Sequence, residues 1–164
     1  YNLFPKIKVK IYKKIKSIIR KEIKLYWFRV FYVFGYKQRR QSLIPSMIQS
    51  ILKNKKIYIK NLNSKNDYIY IEDLIRILCF FSMQSSIEQG VYNVGSGILT
   101  SNLYIYNFIK NYLNKNYNKF IFERNNHIQR QIWSSNSKIF KVIKKDTTSK
   151  IDIGLKKTIN YYKK

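Results

Sequence analysis

The segment formed by residues 66–97, NDYIYIEDLIRILCFFSMQSSIEQGVYNVGSG, changes its hydrophobic period twice, and few folds accommodate that. Residues 68–71 alternate as a strand does, Leu74, Ile77, Leu78 and Phe81 recur at helical spacing, and residues 91–94 are again short and apolar before Gly95 and Gly97. The reading is strand, helix, strand, the repeating unit of an α/β protein. Asp73 falls in the first helical turn, where a carboxylate can accept the helix's own unpaired N–H groups. The two glycines mark a turn that needs positive φ.

The flanking segments fit the same class. Ile7, Ile11, Ile15, Ile18, Ile19 and Ile23 form one stripe of a lysine-covered helix over residues 6–24, which predicts a helix packed on a sheet by its isoleucine face. A basic helix lying on a membrane surface or on nucleic acid is the sharper alternative. Residues 26–35 read as one buried strand ending at Gly35. Arg39, Arg40, Gln41 and Ser42 then lead into a helix whose Pro45 suits a first turn, with Ile44, Met47, Ile48, Ile51 and Leu52 as its core stripe. Residues 57–59 and 120–122 read as short strands, and residues 114–119 as a loop. Thr100 or Ser101 caps a helix that lines up Ile105, Phe108, Ile109, Tyr112 and Leu113, and Leu155, Thr158, Ile159 and Tyr162 share a face near the end.

Charge points elsewhere, with a net +25 that ordinarily suggests a polyanion partner. Only seven of the 33 basic residues are Arg, there is no Ala, and Ile, Lys, Asn, Tyr and Phe make up more than half the chain. AT-rich codons specify those five residues, so drift in nucleotide composition explains the lysines without any polyanion ligand and is favoured over selection for nucleic-acid binding. A single Cys79 and a single His127 exclude a Cys/His zinc site and an internal disulfide; Cys79 reads as a small core or semi-buried residue and His127 as a loop residue. No apolar run is long enough for a bilayer or a secretory leader, so a soluble, cytoplasmic protein without membrane contact is expected.

Several of these stretches resemble the extended short-chain dehydrogenase/reductase family, the NAD-dependent epimerase/dehydratases that act mostly on nucleotide sugars. The carriers are NDYIYIEDL, GVYNVGSG about twenty residues on, WFRVFYVFG, LIPSMI, WSSNSKI and the closing GLKKTINYY. The resemblance implies a partial Rossmann-like α/β fold, with the last parallel strands and the small α/β substrate-binding subdomain, over residues 1–164. It also implies that an amino-terminal dinucleotide-binding half lies outside these residues, consistent with a start at Tyr1 rather than Met, and that the carboxyl end is native. Arg29, Phe31 and Gly35 match the family's strand after the catalytic helix, whereas Tyr32 stands where a substrate-contacting asparagine is usual and Asn66 where an arginine often holds the diphosphate.

The same resemblance locates the chemistry. The family uses a tyrosine as general acid/base and a lysine four residues later, which lowers the phenol's pKa and holds the nicotinamide ribose. One register puts Phe4 at the tyrosine position and keeps Lys8 as catalytic and cofactor-binding lysine. The other uses Tyr1, with Pro5 at the lysine position and Lys6 one residue too far along. Neither is an intact pair, and none of the glycines at 35, 90, 95, 97 and 154 builds the phosphate-cradling turn. The expectation is the substrate-binding half of a nucleotide-sugar epimerase, dehydratase or reductase, inactive as this fragment. Its parent uses NAD or NADP, which this piece does not bind tightly. Arg39, Arg40, Arg130 and Arg124 are expected at the substrate phosphates, and a homodimer is in keeping with the family. A basic module for nucleic acid or an anionic surface is the alternative reading, and nucleic acid is the less favoured partner.

Overall fold

The computed structural model of the protein describes residues 3–59, 61–117, 119–122, 131, 133–143 and 148–163. It opens with α1 (Leu3–Ile18), followed by strands β1 (Tyr26–Val30) and β2 (Tyr32–Phe34) and by α2 (Leu43–Leu52). Next come β3 (Ile57–Ile59), β4 (Lys65–Tyr70), α3 (Ile71–Met83), β5 (Gly90–Val94) and β6 (Leu99–Ser101). The chain continues through α4 (Asn102–Tyr112), β7 (Phe120–Phe122), α5 (Ser137–Phe140) and α6 (Ile151–Lys163). β1 pairs with β5, β2 with β4 and β3 with β7, all parallel, while β6 adds antiparallel to β4. Parallel pairs need helical crossovers, and α2 lies in the one between β2 and β4.

β4 is the wall between two cores. Side chains alternate across a strand, so Tyr68 and Tyr70 face a cluster with Phe34, Ile48, Ile51, Ile105, Ile109, Leu155 and Ile159. Ile69, between them, faces the other cluster, with Leu74, Ile77, Phe81, Tyr92, Val94, Ile139 and Ile143. Each fully buried side chain such as Ile48 or Val94 contributes about 2 kcal/mol of apolar burial. α6 lies so close to this wall that a Cβ on Gly154 would sit 2.8 Å from Phe34 Cζ and from Tyr70 Cγ.

The unit over residues 66–97 is as the periodicity predicts, and so are the helices at α2, α4 and α6 and the short strands β3 and β7. Ser101 is the α4 cap, its hydroxyl accepting the Tyr104 N–H at 3.0 Å. Five expectations are corrected. The single strand over 26–35 is two, because the backbone changes partner at Phe31, whose N–H donates to Val94 O at 3.0 Å while Tyr32 is already beside Tyr68. The isoleucine face of α1 is not buried: none of that helix's side chains is, and the helix ends at Ile18 rather than near residue 24. Leu78 is exposed although Leu74, Ile77 and Phe81 on the same face are buried and belong to the core beside β4. Cys79 is exposed, on the solvent side of α3. Asp73 does not serve its own helix; its carboxylate accepts Ser149 N–H at 2.8 Å and Ser149 Oγ–H at 3.0 Å and pairs with Arg76, tying α3 to the approach to α6.

Candidate functional site at the amino end of α2

The turn 35–42 leaves the carboxyl end of β2, the side of a parallel sheet on which α/β proteins place ligands. It delivers the chain to α2, whose amino end has the partial positive charge of aligned peptide dipoles. Ser42 takes the extended N-cap conformation, but its hydroxyl makes no capping bond. Pro45 contributes no N–H to this end. Arg39, Gln41 and Ser42 line a hollow of about 410 Å³ here. Gln41 also borders a second hollow of about 280 Å³, walled by Leu43, Ser46, Tyr58, Ile59, Asn61, Ser64 and Asn102. The two hollows adjoin at Gln41, Arg39 and the helix amino end bordering one and the exposed ring of Tyr58, with amide and hydroxyl groups, the other, and are treated as one cleft below. Asn102 holds its wall rigid: Tyr68 OH donates to its Oδ1 at 2.9 Å and its Nδ2 donates to Asn61 O at 2.8 Å. Such an arrangement suits a ligand with an anionic centre and a flat hydrogen-bonding end.

The sequence-predicted residues do not all meet there. Arg39 lines the cleft, whereas Arg40 turns to a separate hollow with Lys37, Gln38, Gln49, Tyr161 and Tyr162. Arg124, Arg130 and His127, like Tyr1, lie outside the described residues. Phe4 and Lys8 occupy one face of α1, with Lys8 Nζ 4.4 Å from the Phe4 ring centroid, so the helical spacing of the tyrosine–lysine pair is present and the phenol is not. A phenyl ring has no proton to transfer. Lys6 is exposed on the same helix. Gln41, Tyr58, Asn61, Ser64 and Asn102 were not singled out by sequence; only the outward place of Tyr58 in the alternating IYI run could have marked it.

Asp67 underpins the neighbourhood. Fully buried, it accepts from Ser96 N–H and Oγ–H, each at 2.7 Å, from Gly97 N–H at 3.1 Å, and from both donors of Ser134. Gly97 has the positive φ the turn called for, +75°. Gly95 is needed for a different reason, since a Cβ there would fall 2.4 Å from Asp67 Oδ2. Lys8, the one cofactor contact the resemblance implied, stands exposed on α1. Among the described residues no group of three or more His, Cys, Asp or Glu side chains could hold a metal.

Parallel pairs joined by helices, with a polar cleft beyond a strand's carboxyl end, define a Rossmann-like α/β protein. Residues 5–95 match the NAD dependent epimerase/dehydratase family, and the chain belongs to that family. No curated protein sequence matches it. Among solved structures it is similar to the UDP-glucuronic acid 4-epimerase of Bacillus cereus, in complex with UDP-glucuronic acid and NAD, with 24% identity, a TM-score of 0.76, and coverage of 87% of this chain and 46% of that one. The dTDP-glucose 4,6-dehydratase of Bacillus anthracis, in complex with NAD, gives 18% identity and a TM-score of 0.76, covering 91% of this chain and 46% of that one. An epimerase from the methanogen Methanothermobacter thermautotrophicus gives 17% identity and a TM-score of 0.78, covering 93% and 47%. The chain thus spans about half the length of the structures it matches.

Proposed function

We propose that the chain is the sugar-nucleotide-binding half of an NAD(P)-dependent epimerase, dehydratase or reductase, and that it does not turn over by itself. The observation that carries this reading is the cleft at the amino end of α2, in a chain of the epimerase/dehydratase family. Arg39 and the helix end take the diphosphate through charge-assisted hydrogen bonds. Tyr58 lies against the base, and Asn61 and Ser64 offer it hydrogen bonds. Arg124 and Arg130 are assigned to the outer phosphate and the sugar on the family resemblance, and Arg40, which lines a separate hollow, is not. The parent's hydride transfer to NAD or NADP needs a proton-transferring phenol, and Phe4 does not supply one. A cytoplasmic location and a homodimer follow the family resemblance; among the described residues no helix is long and apolar enough to cross a membrane.

The test is calorimetric titration of the chain with UDP-glucose and UDP-glucuronic acid. Arg39→Ala is expected to weaken binding about 10-fold, the value of one charge-assisted bond. Affinity should change little between about 50 and about 200 mM salt, whereas a polyanion site would lose orders of magnitude. Absence of UDP-sugar binding together with steeply salt-dependent retention of RNA or DNA would replace this reading with the basic binding module.

A further inference from the structure

Lys and Arg make up 33 of the 164 residues, yet residues 66–109 contain only one of them, Arg76. Burial explains this for β4 and β5, whose interiors exclude an unpaired ammonium, but not for the solvent side of α3. There Ile75 (46% exposed), Leu78, Cys79, Ser82 and Met83 (79%) all face outward. The equally exposed α1 surrounds its apolar stripe with six lysines and no acid. Compositional drift toward lysine acts on both helices alike, so the bare outer face of α3 has its cause in what that face meets. The charges α3 does have are matched, Arg76 by Asp73 and Glu72 by Lys157 of α6. Ile75, Cys79 and Met83 are spaced four residues apart and form one ridge, with Leu78 and Ser82 forming the next.

We propose that this ridge is the contact surface for a second copy of the chain, two α3 helices crossing on a two-fold axis at Cys79. A two-fold contact must be self-complementary, and the ridge is. The small side chains of Cys79 and Ser82 let the helices approach at the centre, while Ile75 of one copy covers Met83 of the other. Charge selects the occupant. An acidic protein or a nucleic acid is met by the lysine-covered faces, whereas an apolar face without unpaired cations suits a partner that is itself strongly basic, as this chain is at +25. The α1 stripe is the poorer choice for such a pair, because two copies meeting there would set lysine against lysine. One helix face is small beside the roughly 800 Å² per partner of a standard interface, so the dimer is weak, forming near 100 μM, and it strengthens with salt as the repulsion is screened. The proposal stands apart from the sugar-nucleotide reading.

Cys79 is the only cysteine, so the unaltered chain reports on its own interface. The experiment combines sedimentation velocity with cross-linking by a short bis-maleimide at about 100 μM protein, in about 50 and about 500 mM salt. A cross-linked dimer is expected, with the larger yield at high salt. Cys79→Ser with Ser17→Cys, which moves the thiol to an exposed position on α1, should give only the background of random collisions. Ile75→Lys with Met83→Lys should weaken association at least about 10-fold with far-ultraviolet circular dichroism unchanged, whereas Ile7→Lys with Ile11→Lys should leave it as it was. A monomer at high salt overturns the proposal, as does a dimer whose Cys79 thiols do not cross-link. So does a dimer that the α1 pair of substitutions abolishes, or one that dissociates as salt rises, the sign of bridging by a polyanion.

Discussion

Asp67 and Ser134 are joined twice: the carboxylate accepts the serine's N–H at 2.8 Å and its hydroxyl at 2.6 Å, across 67 residues of sequence. Asp67→Asn replaces one acceptor oxygen by an NH₂ that faces donors, at a site with no water access. A loss of about 3 kcal/mol in urea denaturation is expected. A loss below about 1 kcal/mol would show that the serines reorient and that the carboxylate is not the junction claimed.

Gly95→Ala attacks the same junction from the other side, since its Cβ would meet Asp67 Oδ2 at 2.4 Å and Ser134 Oγ at 2.5 Å. Overpacking of this kind costs about 2 to 3 kcal/mol. Because both changes disrupt the same bonds, a double-mutant cycle with Asp67→Asn should give a combined loss well short of the sum.

These two residues show what the sequence made legible. The glycine pair closing a strand is a local signal, and so are the helical stripes of α2, α4 and α6, whereas the burial of Asp67 is not. Partner choice is not local. Nothing within residues 26–35 says that its first half pairs with β5 and its second with β4, because the crossover decides that many residues later. The α1 stripe was legible as apolar, but its exposure was not, since no residue of that helix is buried. Arg39 and Arg40 were equivalent on paper, yet they line different hollows.

Alkaline stability provides a third test. Burial pushes the phenols of Tyr68, Tyr70, Tyr92, Tyr106, Tyr117 and Tyr162 above their ordinary 10.0, and Tyr104 rises chiefly through its bond to Asp152. The fold therefore favours the neutral phenols. Their contribution is complete below pH 10.0 and is lost as pH climbs through the raised folded values. Exposed rings such as Tyr58 ionise without unfolding, but the last phenolates to form should appear together with the loss of far-ultraviolet circular dichroism; ionisation of all fifteen tyrosines with the ellipticity intact would contradict the burial.

The two catalytic registers can be separated in a chimera that sets the amino-proximal half of the Bacillus cereus UDP-glucuronic acid 4-epimerase before the whole chain. Phe4→Tyr places a phenol one turn from Lys8, and turnover of UDP-glucuronic acid should rise about 100-fold or more, the usual worth of general acid–base catalysis. In the isolated chain the same change should leave NADH formation at background. If Tyr1 were the acid, Phe4→Tyr would do nothing and Tyr1→Phe would remove whatever turnover the chimera has.

The alternation along β4 also bears on how the molecule comes apart. With Tyr68 and Tyr70 in one core and Ile69 in the other, neither core can loosen without freeing a face of the strand the other depends on. A slip of a single residue would exchange the two sets wholesale. The two cores therefore melt as one cooperative unit, and β4, though only six residues long, sets the size of that unit.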